Sequence, residues 1–138
     1  MALVFNFYSD AALTTPVPPS LSFFQDAAAP AAEDKIIYFG STNAAKIIKA
    51  ASDPGVAQIV LSVADAGVGS GSPAADVKLA LSAGGLATAT GGAALNLGTQ
   101  VAGGVANAVA IHLRVLDSTG VSAVNTDLSL TTNNLREY

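Results

Sequence analysis

Short runs in which every second residue is apolar, each closed by glycine or by small polar residues, dominate this chain and limit what it can fold into. Val109, Ile111, Leu113 and Val115 alternate with Ala110, His112 and Arg114. Ile59, Leu61 and Val63 alternate with Gln58, Val60 and Ser62, and Val77, Leu79 and Leu81 with Lys78, Ala80 and Ser82. Successive side chains of a strand point to opposite faces, so a period of two predicts strands that bury one side. Leu95 with Leu97, and Leu128 with Leu130 set against Asp127, Ser129 and Thr131, repeat the pattern. Between the runs lie Gly67 to Pro73, Gly84-Gly85, Gly91-Gly92, Gly103-Gly104 and Asp117 to Gly120. These are residues that accept the backbone angles of tight turns.

The first half is less regular. Residues 3–8 (LVFNFY) read as a strand, and Asp10 to Ser20, with Pro16, Pro18 and Pro19, as a loop or extended edge segment, since each proline removes a backbone donor. Leu21 to Phe24 is a short strand candidate. Residues 26–34 (DAAAPAAED) are rich in alanine, but Pro30 disfavours a helical Ala29 and the stretch reads as a loop. Ile36 to Phe39 is a β run ended by Gly40 to Asn43. Residues 44–51 (AAKIIKAA) fit either a two-turn helix or a strand, and the β segments on both sides favour the strand. The expected fold is all-β: an antiparallel β-sandwich, jelly-roll or immunoglobulin-like, of about 8–9 short strands. It forms a single domain over 1–138, with 1–35 as an N-terminal arm and Pro/Ala-rich loop segment.

Chemistry is thinly supplied. The 138 residues include no cysteine and one histidine, which excludes a disulfide framework, thiolate metal sites and multi-histidine clusters. His112 lies on the polar alternate of a strand beside Arg114, and no Gly-x-Ser-x-Gly elbow supplies it with a nucleophile. Gly67-Val-Gly-Ser-Gly-Ser lacks the Gly-Lys-Ser/Thr of a phosphate loop and reads as an inter-strand loop. The ten acids are singletons apart from Glu33-Asp34, with no tryptophan to stack a sugar and no Asp-x-Asp run for calcium. No catalytic residue, cofactor or metal is expected, and the chain reads as a non-enzyme.

Charge is scarce as well as chemistry. Six Lys and Arg and ten Asp and Glu make 12% of the chain, against about 25% in typical domains. A compact monomer of 13.6 kDa exposes roughly 6,600 Å², or on the order of one of these charges per 400 Å². Interface cores are depleted in charge, so part of this surface is expected to be covered by a partner. The net charge of −4 and the scattered cations oppose nucleic-acid binding. No apolar run approaches the ~20 residues of a spanning helix, and the first residues lack the basic start of a secretory signal, so cytoplasmic synthesis without membrane association is expected.

All aromatics but Tyr138 lie within the first 39 residues. They either form the bulky half of the core or belong to an arm that packs on a neighbour. On the second reading Leu3, Phe5, Phe7, Pro18, Phe23 and Phe24 are the candidate assembly contacts.

From Ile36 to Thr131 the order of features is IIYFGS at 36–41, VKLALS at 77–82, GGAALNLGTQVAGG at 91–104 and VAIHLRVLDSTG at 109–120, closing into DLSLTT. This order resembles the small capsid decoration (cement) proteins of tailed bacteriophages and related β-sandwich virion structural proteins. The resemblance implies a subunit without catalysis, located on the virion capsid surface. Its partners would be itself, as a dimer or trimer, and the major capsid protein or another virion protein. A phage tail, neck or baseplate module and a carbohydrate- or receptor-binding module are the alternatives.

Overall fold

The computed structural model describes residues 3–18, 21–120 and 125–138. Its ten strands are β1 (Asn6–Tyr8), β2 (Glu33–Gly40), β3 (Ile47–Ala50), β4 (Val60–Asp65), β5 (Val77–Ala80), β6 (Leu95–Asn96), β7 (Gln100–Ala102), β8 (Val109–Val115), β9 (Leu128–Thr132) and β10 (Leu135–Glu137). Three short 3-10 turns, at Ala74–Asp76, Gly84–Ala87 and Val105–Asn107, are the sole helical elements among the described residues. All strand pairings are antiparallel.

β1, β2, β8 and β5 form a four-stranded sheet in that order. Its two long strands are rich in β-branched and aromatic residues, which suit a pleated surface. The register sets Ile37 opposite Ile111, and Leu113 opposite both Lys35 and Leu79. One face of the sheet therefore carries Ile37, Phe39, Ile111, Leu113, Val77 and Leu79 inward, as the alternation requires.

The other strands pair as β10-β3-β7 and β6-β4-β9, and the two trios are segments of one layer. β9 passes directly into β10, and β6 into β7. Hydrogen bonds at the junctions carry the ladder across. Ile59 N–H donates to Gly98 C=O and Leu97 N–H to Ile59 C=O, both at 2.8 Å, while Ala51 N–H donates to Asn134 C=O at 2.8 Å and Asn133 N–H to Val60 C=O at 3.2 Å. The central track alone is interrupted, by an excursion over residues 51–58 between β3 and β4. Asn133 bridges this break, its side chain accepting from Val60 N–H at 2.9 Å and donating to Gln58 C=O at 3.0 Å. In an immunoglobulin order the fifth strand joins the sheet of the first, second and fourth. In this chain β8, the sixth track once β3/β4 and β6/β7 are each counted as one, takes that place.

Both layers share one core. Ile48, Ile59, Leu61, Leu97 and Val101 of the broken layer meet Phe5, Ile37, Phe39, Val77, Leu79, Ile111 and Leu113 of the four-stranded side. Ile48, Ile59, Leu61 and Ile111 are each 0% exposed, and full burial of such side chains contributes about 1.5–3 kcal/mol apiece. Two glycines permit backbone crossings that no other residue would. A Cβ at Gly103 would lie 1.9 Å from Asn43 O, and one at Gly91 would lie 2.0 Å from Ala75 O.

The all-β architecture agrees with the alternation, with specific corrections. Leu21 to Phe24 is not a strand, because Gln25, not a backbone ladder, ties this segment down. Its Nε2 donates to Val115 C=O at 2.9 Å and its Oε1 accepts from Asp117 N–H at 2.8 Å. Two strands carry no periodic signal in the sequence, β7 within the small-residue tract and β10 after Asn133-Asn134, which brings the count to ten. Residues 44–51 are a strand over Ile47–Ala50, entered through a turn in which Lys46 N–H donates to Asn43 C=O at 3.2 Å. The strand expected over 3–8 is confined to Asn6–Tyr8. Pro19 and Ser20, part of the expected proline-rich extension, lie outside the described residues.

Candidate assembly surface

The outward face of the four-stranded sheet is built by the alternates of its core residues. Cross-strand register arranges them in rows: Asp34, Arg114 and Lys78; then Ile36, His112 and Ala80, the last only 6% exposed with Gly85 against it; then Tyr8, Tyr38 and Ala110. Ile36 is 42% exposed, and Tyr8, Tyr38, Ala110 and His112 are half-buried. Tyr and Arg recur at the energetic centres of protein interfaces because they join a large contact area to a polar tip.

At one end of this face Arg114 grips Asp34 as a fork, Nε to Oδ1 at 2.8 Å and Nη2 to Oδ2 at 2.9 Å. That hydrogen bond, and then the guanidinium charge, hold the Asp34 carboxyl below its ordinary value, and the same bond with the carboxylate charge raises Arg114. Beyond the fork lies a depression of about 250 Å³ whose lining includes Lys78, Arg114, Asp76 and Leu116. Asp76 is buried and shapes its rim, accepting from Leu116 N–H through its carbonyl at 3.0 Å and from Ser118 N–H through Oδ2 at 3.2 Å. Asp117 then bonds Thr119 through both hydroxyl and backbone, which lowers its carboxyl.

The six residues expected as assembly contacts fall in different environments. Phe5 is 6% exposed, with its ring centroid 6.0 Å from that of Phe39, and the Phe7 ring lies tilted 5.0 Å from the same ring. The N–H groups of Val4 and Phe5 both donate to Glu137 Oε1, so β10 holds the chain that enters β1. Phe5 and Phe7 thus fill the chain's own core, because β1 is a strand of its own sheet. Phe23 is half-buried with Lys35 Nζ 5.1 Å above its ring. Pro18 is exposed, as is Leu3 at 47%, and Phe24 is 85% exposed with its N–H donated to Glu33 Oε2 at 2.8 Å. Of the six, Leu3, Pro18 and Phe24 present themselves outward.

Ile36, Tyr38 and Tyr8 do not figure among the sequence candidates, although a signal for them exists. In the unbroken run Ile36-Ile37-Tyr38-Phe39, alternation forces one apolar pair outward. The glycine loop serves the fold, since Gly67 to Gly71 curls over Asp127 and a Cβ at Gly71 would lie 2.8 Å from either carboxylate oxygen. Asp127 Oδ2 is buried without a hydrogen-bond partner among the described residues, while Oδ1 accepts from Ser72 N–H at 3.4 Å. No three of His, Asp and Glu gather in a metal-binding cluster among the described residues. Comparison with protein-family models, curated proteins and solved structures finds no match to the chain.

Proposed function

We propose that this chain is a non-enzymatic structural protein of a bacteriophage virion, a capsid decoration or cement subunit that oligomerises and attaches to the shell. The observation that carries the reading is the outward face of the β1-β2-β8-β5 sheet. There Ile36, Tyr8, Tyr38 and His112 form a contiguous patch whose nearest acid, Asp34, is already engaged by Arg114. A sheet face with an aromatic and aliphatic centre and a charged row at one end has the anatomy of a protein-binding surface.

The test is co-sedimentation of purified protein with empty capsids of a tailed phage that encodes it. Stoichiometric binding that Ile36→Ser and Tyr38→Ser together weaken at least tenfold supports the proposal. Absence of binding to shells would overturn it.

A further inference from the structure

The six edge strands of the two layers are not protected alike. Along β1, Val17 N–H donates to Phe7 C=O at 3.0 Å and Ser9 N–H to Thr15 C=O at 2.9 Å, so residues 15–17 close that edge. Beside β5, Gly92 N–H donates to Val77 C=O at 2.8 Å. β6 has only two residues and β7 and β10 three each, and a very short edge strand is itself a defence against pairing. β9 is the exception. It lies at the edge of its sheet with five residues, Leu-Ser-Leu-Thr-Thr, that include no charge and no proline. Among the described residues no strand pairs with its outer side.

Which backbone groups face outward follows from the ladder. Ala66 N–H donates to Asp127 C=O and Asn133 N–H to Val60 C=O, so residues 127 and 133 turn their polar groups toward the β4 track. Antiparallel pairs alternate between bonded and non-bonded. Ser129 and Thr131 therefore also bond inward to β4, and the N–H and C=O groups of Leu128, Leu130 and Thr132 point away from the sheet. In the other direction, Leu128 and Leu130 are half-buried against the core, while Ser129 and Thr131 are exposed.

We infer that this edge pairs with β9 of a second copy, antiparallel about a two-fold axis at Leu130. That register sets Leu130 opposite its own counterpart and Leu128 opposite Thr132, each as a bonded pair, so every outward N–H and C=O of the strand is satisfied. Ser129 faces Thr131 on the solvent side, and the Leu130 side chains meet on the core side. No like charges are opposed, and the only carboxylate reached, Asp127, falls opposite Asn133. The contact is isologous and closes at two copies. The two broken layers become one sheet running through the dimer. The inference deepens the proposed assembly by naming its first partner as the chain itself, and it rests on that reading only for its purpose.

The experiment is light scattering across a concentration series of three purified proteins. The native chain is expected to be dimeric. S129K/T131K sets lysine against lysine across the axis at positions exposed in the monomer, and is expected to halve the mass with an unchanged circular dichroism spectrum. S129K/T131E sets lysine against glutamate and is expected to restore the dimer. Amide exchange at Leu128, Leu130 and Thr132 should be slow in the native chain and at least tenfold faster in S129K/T131K. A native chain that stays monomeric at 100 μM, a dimer that survives S129K/T131K, or a dimer that S129K/T131E does not restore would each overturn the inference. Loss of shell binding with the dimer intact would instead count against the virion role.

Discussion

The two layers of this protein solve the same problem in opposite ways. The four-stranded sheet has two long central strands and edges closed by its own chain, at Pro16–Val17 and at Gly92. The facing layer is assembled from six strand segments of two to six residues, its central track cut by an eight-residue excursion, and it leaves β9 bare. The core is common to both, so hydrophobic burial does not separate them. What separates them is where backbone polar groups find partners. The four-stranded sheet takes bonds on its edges from loops of the same chain, at Phe7, Ser9 and Val77, whereas β9 presents its outward donors and acceptors to water or to a partner.

The largest effect is expected at the crossings that let loops close over strands. Gly103→Ala or Gly91→Ala places a Cβ about 2 Å from a backbone oxygen, and is expected to cost at least ~3 kcal/mol or to prevent folding, as forced backbone displacement in a packed core does. Thermal melts with expression yield measure it. Next comes the difference between the layers' centres and edges. Ile111→Ala, at 0% exposure in β8, should cost about 2–5 kcal/mol in denaturant unfolding. Leu130→Ala, half-buried at the β9 edge, should cost clearly less in a monomeric background such as S129K/T131K. Equal costs would erase the distinction.

Acid should act on the four-stranded sheet and its loops through three carboxyls. Asp10 accepts from the Thr14 hydroxyl and from the Thr14 and Thr15 N–H groups, Asp34 is held by Arg114, and Asp117 by Thr119. Each is lowered from 3.8. A carboxyl lowered on folding contributes stability that is present above its unfolded value and lost as pH falls through its folded value. The melting temperature should therefore be flat near neutrality and drop below about pH 4. D10N/D34N/D117N should melt lower than the native chain at pH 7 and lose less between pH 5 and pH 2. The smallest effect on stability is expected on the outward sheet face. Ile36→Ser, 42% exposed, should change unfolding by no more than about 0.5–1 kcal/mol while weakening shell binding.

The strands whose alternation is clean were legible in the sequence. β8, β4 and β5 belong to this group because the run that contains each has three or more apolar residues at spacing two, Ile59 and Leu81 lying just outside β4 and β5. β7 and β10 were not legible, because Gln-Val-Ala and Leu-Arg-Glu are too short for any period to register; both owe their existence to pairing with β3. Leu21 to Phe24 alternates like a strand, yet side chains rather than a ladder hold it. Phe5 and Phe7 carried no mark of whether their burial would be against their own chain or a neighbour.

Local chemistry alone therefore settled the class of fold, the turns and the poverty of catalytic groups, since these depend on neighbours within a few positions. Long-range packing and pairing select which of the two apolar alternates in Ile36 to Phe39 faces out, join two trios of strands into one broken layer, and leave β9 as an open edge. Those depend on which distant backbone supplies each hydrogen bond, and spacing along the chain does not encode that choice.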